Sequence, residues 1–336
     1  MIKLYELGYN VNVQEIVLSN PQLAWCTQVL AAKDLVLASA RPLKAEASHR
    51  QFFRLTTSGA NSYVFMSSPP ELERNDAFRE LATVFNSAGV PVPKILAEDR
   101  PSGWFLLTDL GTTHFEDIYS TELESPALGA AFNQLVPFSQ IKHPSIPEYT
   151  EQRLLDEMGI FDEWFVHQYL GEPLQVGPCQ DELLAQILVQ PKACVHLDYH
   201  CRNLLYENNK LGIVDFQDAR LGPILYDPAS LLRDCYHQFP AQVIDQWLAF
   251  YATKHPLLQD VPKSQLKIWL DYTALQRQLK AVGIFARLNL RDSKSTHLTY
   301  ILPVLKAMHT LAQNYSELGY LVAQLDHCIK TYANVH

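Results

Sequence analysis

Three oxygen-bearing side chains stand in an order that suits phosphoryl transfer: Asp198, Asn203 five residues later, and Asp215 beyond the next turn. The stretch reads VHLDYHCRNLLYENNKLGIVDFQDA: H-x-D-x-x-x-x-N, an apolar run, a polar turn at 207–210, a second apolar run, then D-F. Cys194 and Val195 feed the loop, and the spacing predicts strands over 204–206 and 211–214. A hairpin brings residues on either side of its turn together, so Asn203 and Asp215 are expected to face one point. Moving a phosphoryl group takes one carboxylate to orient the attacking hydroxyl, the role that suits Asp198. It also takes a carboxylate and a neutral oxygen to hold Mg²⁺ against nucleotide phosphates, which suits Asp215 and Asn203. His196, two before the candidate base, reads as a brace for the loop, and His200 as structural too.

Each residue alone has a plainer reading: a surface carboxylate, a turn former, a structural acid. A zinc or two-metal hydrolase built on His196, Asp198 and His200 is an alternative for the H-x-D-x-H run. It leaves Asn203 and Asp215 without a task.

The elements that must position these groups fall into two textures. Residues 21–32 carry apolar positions at helical spacing. QFFRLTT (51–57) and NSYVFM (61–66) are short, aromatic and β-branched around Ser58-Gly59-Ala60-Asn61, and so predict two antiparallel strands. A helix is expected over 71–88 with Gly89 as its stop, followed by strands near 95–97 and 104–107. From Thr112 onward the pattern is mainly helical, with stripes through Leu266, Trp269, Tyr272, Leu275, Leu279 and Val282, and from Leu302 to Leu321. The fold expected is α+β and bilobal, with a small β-rich lobe over residues 1–109 and a larger helical lobe over 110–336. The hinge is expected at Thr108-Asp109-Leu110-Gly111.

Bulk properties narrow the partners. The 336 residues carry a formal charge of −9 and 48% hydrophobic side chains. A chain so acidic lacks the concentrated Lys and Arg that nucleic acid or an anionic membrane demands. No secretory leader core or bilayer-length apolar run is legible. Six scattered cysteines without C-x-x-C suit a reducing cytoplasm. Nothing in the sequence calls for an obligate protein partner.

At the catalytic island the sequence resembles the aminoglycoside-phosphotransferase-like branch of the protein-kinase fold, which pairs H-x-D-x-x-x-x-N with I-V-D-F and then Y-D-P-A-S. The resemblance implies ATP and Mg²⁺ as cofactors, Asp198 as catalytic base, Asn203 and Asp215 as metal ligands, and Asp227 as a brace for the catalytic loop. More narrowly, VHLDYHCRNLL, DFQDARLGPILYDPASLLRDCY, EASHRQFFR and FLLTDLG are similar to bacterial kinases of the anomeric hydroxyl of N-acetylmuramate and N-acetylglucosamine. Those enzymes make sugar 1-phosphates in peptidoglycan recycling. The resemblance thus implies a small-molecule sugar as acceptor; an aminoglycoside, choline or a hexose stays open.

The sequence departs from the pattern in three places. Leu197 follows the histidine where the subgroup often has arginine. The strand NSYVFMSS has no lysine for the α- and β-phosphates, and Met66 or a neighbour sits there. A triphosphate needs other cations, and Arg50, Arg54 and Arg202 are the candidates. No glycine-rich phosphate loop is present either, so residues 45–49 are expected to serve with backbone N–H groups and the Ser48 hydroxyl. These losses also motivate a reading as a nucleotide-binding scaffold without turnover. The adenine is expected against the backbone of Leu107, Thr108 and Asp109. Arg233 and Asp234, in the helix after Asp227, are the candidates for contact with the acceptor.

Overall fold

The computed structural model describes residues 17–43 and 49–335. Ser48, with most of the expected phosphate loop, lies outside the described residues. The chain divides into two compact units: one runs to Asn75 and resumes at Ile95–Asp109, and the other holds Asp76–Lys94 and everything from Leu110 onward.

The first unit is a five-stranded antiparallel sheet with one helix. Helix α1 (Asn20–Ala31) starts at Ser19, whose hydroxyl accepts the Gln22 N–H while the Gln22 side chain takes the Ser19 N–H, a reciprocal cap. The strands are β1 (Leu37–Leu43), β2 (Gln51–Thr57), β3 (Ser62–Ser67), β4 (Ile95–Asp99) and β5 (Trp104–Thr108), ordered β1-β2-β3-β5-β4. Strand β1 was not legible in the sequence. LASARPL lies at the sheet edge with mostly exposed side chains, so it lacks the apolar alternation of a half-buried strand and tolerates Pro42. Phe53 and Leu55 of β2 point inward to Cys26, Leu30, Phe65 and Leu106, which leaves Arg54 on the opposite face.

The second unit takes in helix α2 (Asn75–Ser87) from Asp76 onward. This helix starts later than the spacing predicts, because residues 69–74 close a turn in which Glu73 N–H meets the Pro69 carbonyl at 3.0 Å. Gly89, at φ +79°, ends it, and Val90 N–H returns to the Phe85 carbonyl at 2.9 Å. Helices α3 (Phe115–Ile118), α4 (Glu124–Ser139), α5 (Glu151–Ile160), α6 (Gln180–Ile187), α7 (Tyr226–Leu232), α8 (Ala241–Lys254), α9 (Lys263–Asp292), α10 (Leu298–Ala312) and α11 (Gly319–Val335) build its bulk. A π-helical stretch, Phe161–Tyr169, continues α5. Helix α9 packs against it closely: a Cβ on Gly283 would stand 2.5 Å from the Ile160 carbonyl oxygen.

The stripe expected from Leu302 to Leu321 is not one element. Helix α10 stops at Ala312, and α11 begins at Gly319 after a short 3-10 turn, with apolar residues buried on both sides of the break. Two small ladders complete the unit: β6 (Lys192–Val195) with β9 (Arg220–Pro223), and β7 (Leu204–Glu207) with β8 (Lys210–Ile213). Strand β9 was also not foreseen, since Gly222 and Pro223 argue against a strand. Among the described residues no helix is long and apolar enough to cross a membrane, and all six cysteines are free thiols.

Candidate active site

Strand β6 buries Ala193, Cys194 and Val195 and delivers the chain into a loop held by one carboxylate. Asp227, in the first turn of α7, accepts the amide hydrogens of His196 at 2.6 Å and Leu197 at 3.0 Å. Only 1% of Asp227 is exposed. Burial pushes its carboxyl up to about 7, against the pull of the two amides and of Arg277, with the charge of Asp198 adding to the rise. Leu197 has φ +76°, a region costly for a leucine, by about 1–3 kcal/mol. The two amide bonds to Asp227 and the burial of the Leu197 side chain offset that strain.

His196 is fully buried and uses both ring nitrogens inside the loop. Nε2–H donates to the Val214 carbonyl at 3.0 Å, and Nδ1 accepts the Asp198 N–H at 3.3 Å. These roles require the neutral Nε2–H form, and burial pulls the imidazole down to about 4 despite the opposing charge of Asp198. With both nitrogens engaged, His196 has no lone pair for a metal. Among the described residues no group of three or more His, Cys, Asp or Glu is arranged to hold one, so the hydrolase alternative loses its ligand set.

Asp198 follows with a side chain 41% exposed. Partial burial raises its carboxyl, but Lys280, His200, Arg277 and His196 pull harder the other way, and the net shift is downward. Asn203 donates from Nδ2 to the Asp198 carbonyl at 3.0 Å, and no described residue donates to its Oδ1. Its own carbonyl takes the Val214 N–H at 3.0 Å. Leu204 pairs with Ile213, and the β7–β8 turn is closed by Asn208 and Asn209, both at positive φ as a two-residue hairpin turn of this hand requires.

Asp215, immediately after Val214, is exposed at φ +64° and receives Gln217 Nε2–H at 2.8 Å. Phe216 is buried and stacks on Phe78 of α2 with ring centroids 5.3 Å apart, and it meets Phe85 edge-on at 5.7 Å. Asp227, His196, Asp198, Asn203 and Val214 thus form one continuous run of hydrogen bonds that ends beside Asp215. The Asn203 oxygen and the Asp215 carboxylate are hard donors of the kind magnesium takes when most of its shell comes from phosphate and water. The donor set fits that ion.

A charged cluster that sequence reading missed adjoins Asp198. On α9, Arg277 Nη2 lies 3.9 Å from Asp198 Oδ1, and Lys280, three residues on, places Nζ 3.1 Å from Glu157 Oε2. Glu157 also takes Arg153 Nε–H at 3.0 Å and the Tyr149 hydroxyl. The signal available was two cations at i and i+3 within a stripe otherwise apolar at Leu275, Leu279 and Val282.

The remaining expected residues have protein partners. Arg233 donates to Asp271 at 2.7 Å, and Asp234 accepts the amide hydrogens of Cys201 and Tyr236 at 3.0 and 3.1 Å. Arg202 bonds Glu116 at 2.9 Å and Tyr300 at 3.0 Å and lies 3.8 Å over the Tyr236 ring. In the first unit, Arg50 is buried between Ser68 and Glu73, and Arg54 grips Asp109 with two bonds of 2.6 and 3.2 Å. Leu107 and Thr108 lie in β5, paired with Val64 and Tyr63 of β3, and Met66 is buried on β3.

A family model described as the phosphotransferase enzyme family matches residues 39–261. An N-acetylmuramate/N-acetylglucosamine kinase of Neisseria meningitidis serogroup B is 33% identical over 315 residues, covering 90% of this chain and 93% of the relative. One of the same name from Pseudomonas aeruginosa is 33% identical over 306 residues, covering 84% and 88%. Among solved structures, the ethanolamine kinase of Plasmodium vivax superposes with a TM-score of 0.63 over 89% of this chain and 92% of its own. Its sequence identity is 13%, so that likeness speaks for the protein-kinase-like fold alone.

Proposed function

Because this chain belongs to the phosphotransferase enzyme family, we propose that it transfers the γ-phosphate of ATP to the anomeric hydroxyl of N-acetylmuramate and N-acetylglucosamine. The product is a sugar 1-phosphate, and the setting is cytoplasmic recycling of peptidoglycan. The observation that carries phosphoryl transfer is the run of hydrogen bonds from Asp227 through His196, Asp198 and Asn203 to the backbone beside Asp215, and the amino-sugar acceptor rests on the two 33% identical relatives.

In this reading Asp198 is the catalytic residue. Its carboxylate, kept ionised by neighbouring positive charge, orients the sugar hydroxyl and accepts its proton as the new oxygen–phosphorus bond forms and the bond from the γ-phosphorus to the bridging oxygen breaks, releasing ADP. Asn203 Oδ1 and the Asp215 carboxylate would hold Mg²⁺, which when bound would neutralise charge on the nucleotide phosphates. His196 and Asp227 are positioning residues, acting through the loop backbone. The backbone of Leu107, Thr108 and Asp109 is the proposed adenine-reading edge. Arg50, Arg54 and Arg202 already face protein carboxylates, so a phosphate recruiting any of them shares it with Glu73, Asp109 or Glu116.

A cationic acceptor such as an aminoglycoside or choline is the weaker reading. Such a ligand needs carboxylates at its disposal, yet Asp227 and Asp234 brace the loop and Glu157 is committed to Arg153 and Lys280. The test is an ATP-consumption screen over amino sugars, hexoses, aminoglycosides and choline. Turnover is expected on N-acetylmuramate and N-acetylglucosamine, with an acid-labile, alkali-stable phosphate in the product. Asp198→Ala should lose at least about two orders of magnitude in kcat. Strong turnover on aminoglycosides alone would refute the sugar assignment.

A further inference from the structure

Arg277 is 8% exposed and no described residue accepts a hydrogen bond from its guanidinium. Its Nε is buried without a partner, and its nearest carboxylate oxygen, Asp198 Oδ1, is 3.9 Å away, beyond hydrogen-bond reach. The Tyr226 ring, 5.4 Å from the guanidinium carbon, supplies a π face but no acceptor oxygen. A guanidinium has five N–H donors, and burying it without acceptors is expensive. The other charges nearby do not pair it. Asp227 and Asp234 are turned to backbone amides, and Glu157 is held by Arg153, Lys280 and Tyr149. Arg277 therefore stands as a buried cation whose one near anion, the Asp198 carboxylate, lies at ion-pair but not hydrogen-bond distance, which leaves its N–H donors open to a second anion.

The side of Asp198 on which it stands decides which anion. Asn203 is bonded to the Asp198 backbone carbonyl, whereas Arg277 faces the Asp198 carboxylate. The carboxylate is the end that must meet the acceptor hydroxyl, so an anion reaching Arg277 belongs to the acceptor. Lys280, one helical turn along the same face of α9, is paired with Glu157, and its charge also acts on Asp198.

We infer that Arg277, supported by Lys280, reads a carboxylate on the acceptor, and so favours an acidic amino sugar over its neutral counterpart. The inference rests on the proposed function. N-acetylmuramate carries a lactyl ether with a carboxylate on C3, and N-acetylglucosamine has a hydroxyl there. With Asp198 and Arg277 3.9 Å apart and one hydrogen bond at each end, the hydroxyl oxygen and the carboxylate are at most about 10 Å apart. The C1 hydroxyl and the C3 substituent of one pyranose ring fall within that span. The pairing would be bidentate, the geometry for which a planar guanidinium is suited and an ammonium is not.

The experiment measures kcat/KM on both sugars for the full chain and for Arg277→Met, Arg277→Lys and Lys280→Met. Removing Arg277 also weakens the hold on the Asp198 charge, a loss common to both sugars that cancels in their ratio. Arg277→Met is expected to lower the acid-to-neutral ratio by about tenfold to a hundredfold, mostly through KM for the acidic sugar. Lys280→Met should lower it less, and Arg277→Lys should recover part. A second arm leaves the protein untouched: the methyl ester of N-acetylmuramate should lose a similar factor on the wild-type enzyme. If both sugars are turned over but neither the ester nor the Arg277 variants move the ratio beyond about twofold, the inference fails and the proposed function stands. If the wild-type enzyme phosphorylates neither sugar, both fall.

Discussion

Leu197 is held at φ +76° with its amide hydrogen on Asp227 Oδ1, 3.0 Å away. A bulky residue in the left-handed region persists only where its surroundings over-determine it, and here the same carboxylate grips the preceding amide as well. The backbone turn that presents Asp198 is thus set by a buried acid 29 positions further along the chain.

Replacing that acid tests the arrangement. Asp227→Asn keeps the shape but sets an NH₂ group against one of two amide donors, leaving a buried clash. The expected cost is about 1–3 kcal/mol of stability, read by urea denaturation, with kcat falling far more than KM for either substrate. Equal changes in KM and no change in kcat would mean that the loop does not depend on this contact.

His196 gives a pH prediction. Its ring is pulled from an ordinary value near 6.5 in the unfolded chain to about 4 in the fold. The unfolded chain therefore binds more protons between those values, and the stability contributed by the neutral ring is complete above about 6.5 and lost as pH falls through 4. The effect is on the order of 3 kcal/mol. His196→Gln, which retains a hydrogen-bonding amide, should flatten that part of the stability profile. Parallel profiles for the two proteins over pH 4–6.5 would contradict it.

Asp215 and Asn203 should reveal themselves through magnesium. For Asp215→Asn the concentration of Mg²⁺ giving half-maximal activity is expected to rise by about tenfold or more, because an anionic donor is replaced by a neutral one. Asn203→Ala should add a fall in kcat that extra magnesium does not restore, since the bond to the Asp198 carbonyl is lost with the oxygen. An unchanged magnesium requirement in both variants would remove them from the metal site.

Gly283 tests whether α9 positions the acceptor side. A methyl group there collides with the Ile160 carbonyl, so Gly283→Ala must push α9 away from α5. Overpacking of this kind costs about 1–3 kcal/mol. The displacement should also raise KM for the sugar, because Lys280 and Arg277 sit within two turns of the collision. A stable variant with unaltered sugar kinetics would show that α9 yields without disturbing Asp198.

Much of the site was legible because its residues are close in sequence and their spacing has a geometric meaning. Asp198, Asn203 and the polar turn before Asp215 predict a loop and a hairpin, and β7, β8 and the Val214–Asn203 bond follow that plan. What escaped was decided by distant contacts. Strand β1 is an edge, and β9 carries Gly222 and Pro223, so neither has the alternation that marks a strand. The stripe over 302–321 kept its period across a break because both helices bury leucines where they meet. Arg277 and Lys280 lie some 80 residues beyond Asp198, on a helix whose period speaks only of burial. The protein partners Asp271 of Arg233 and Cys201 of Asp234 are likewise long-range, and nothing in the spacing of the sequence announces them.

The seat of Phe216 on Phe78 and Phe85 has a kinetic consequence. The β7–β8 hairpin joins near neighbours and can close on its own in microseconds, but the phenyl ring beside Asp215 finds its place only when α2 has docked. During refolding, catalytic competence should therefore lag behind the recovery of β-structure, appearing with the slowest phase in which aromatic packing becomes fixed.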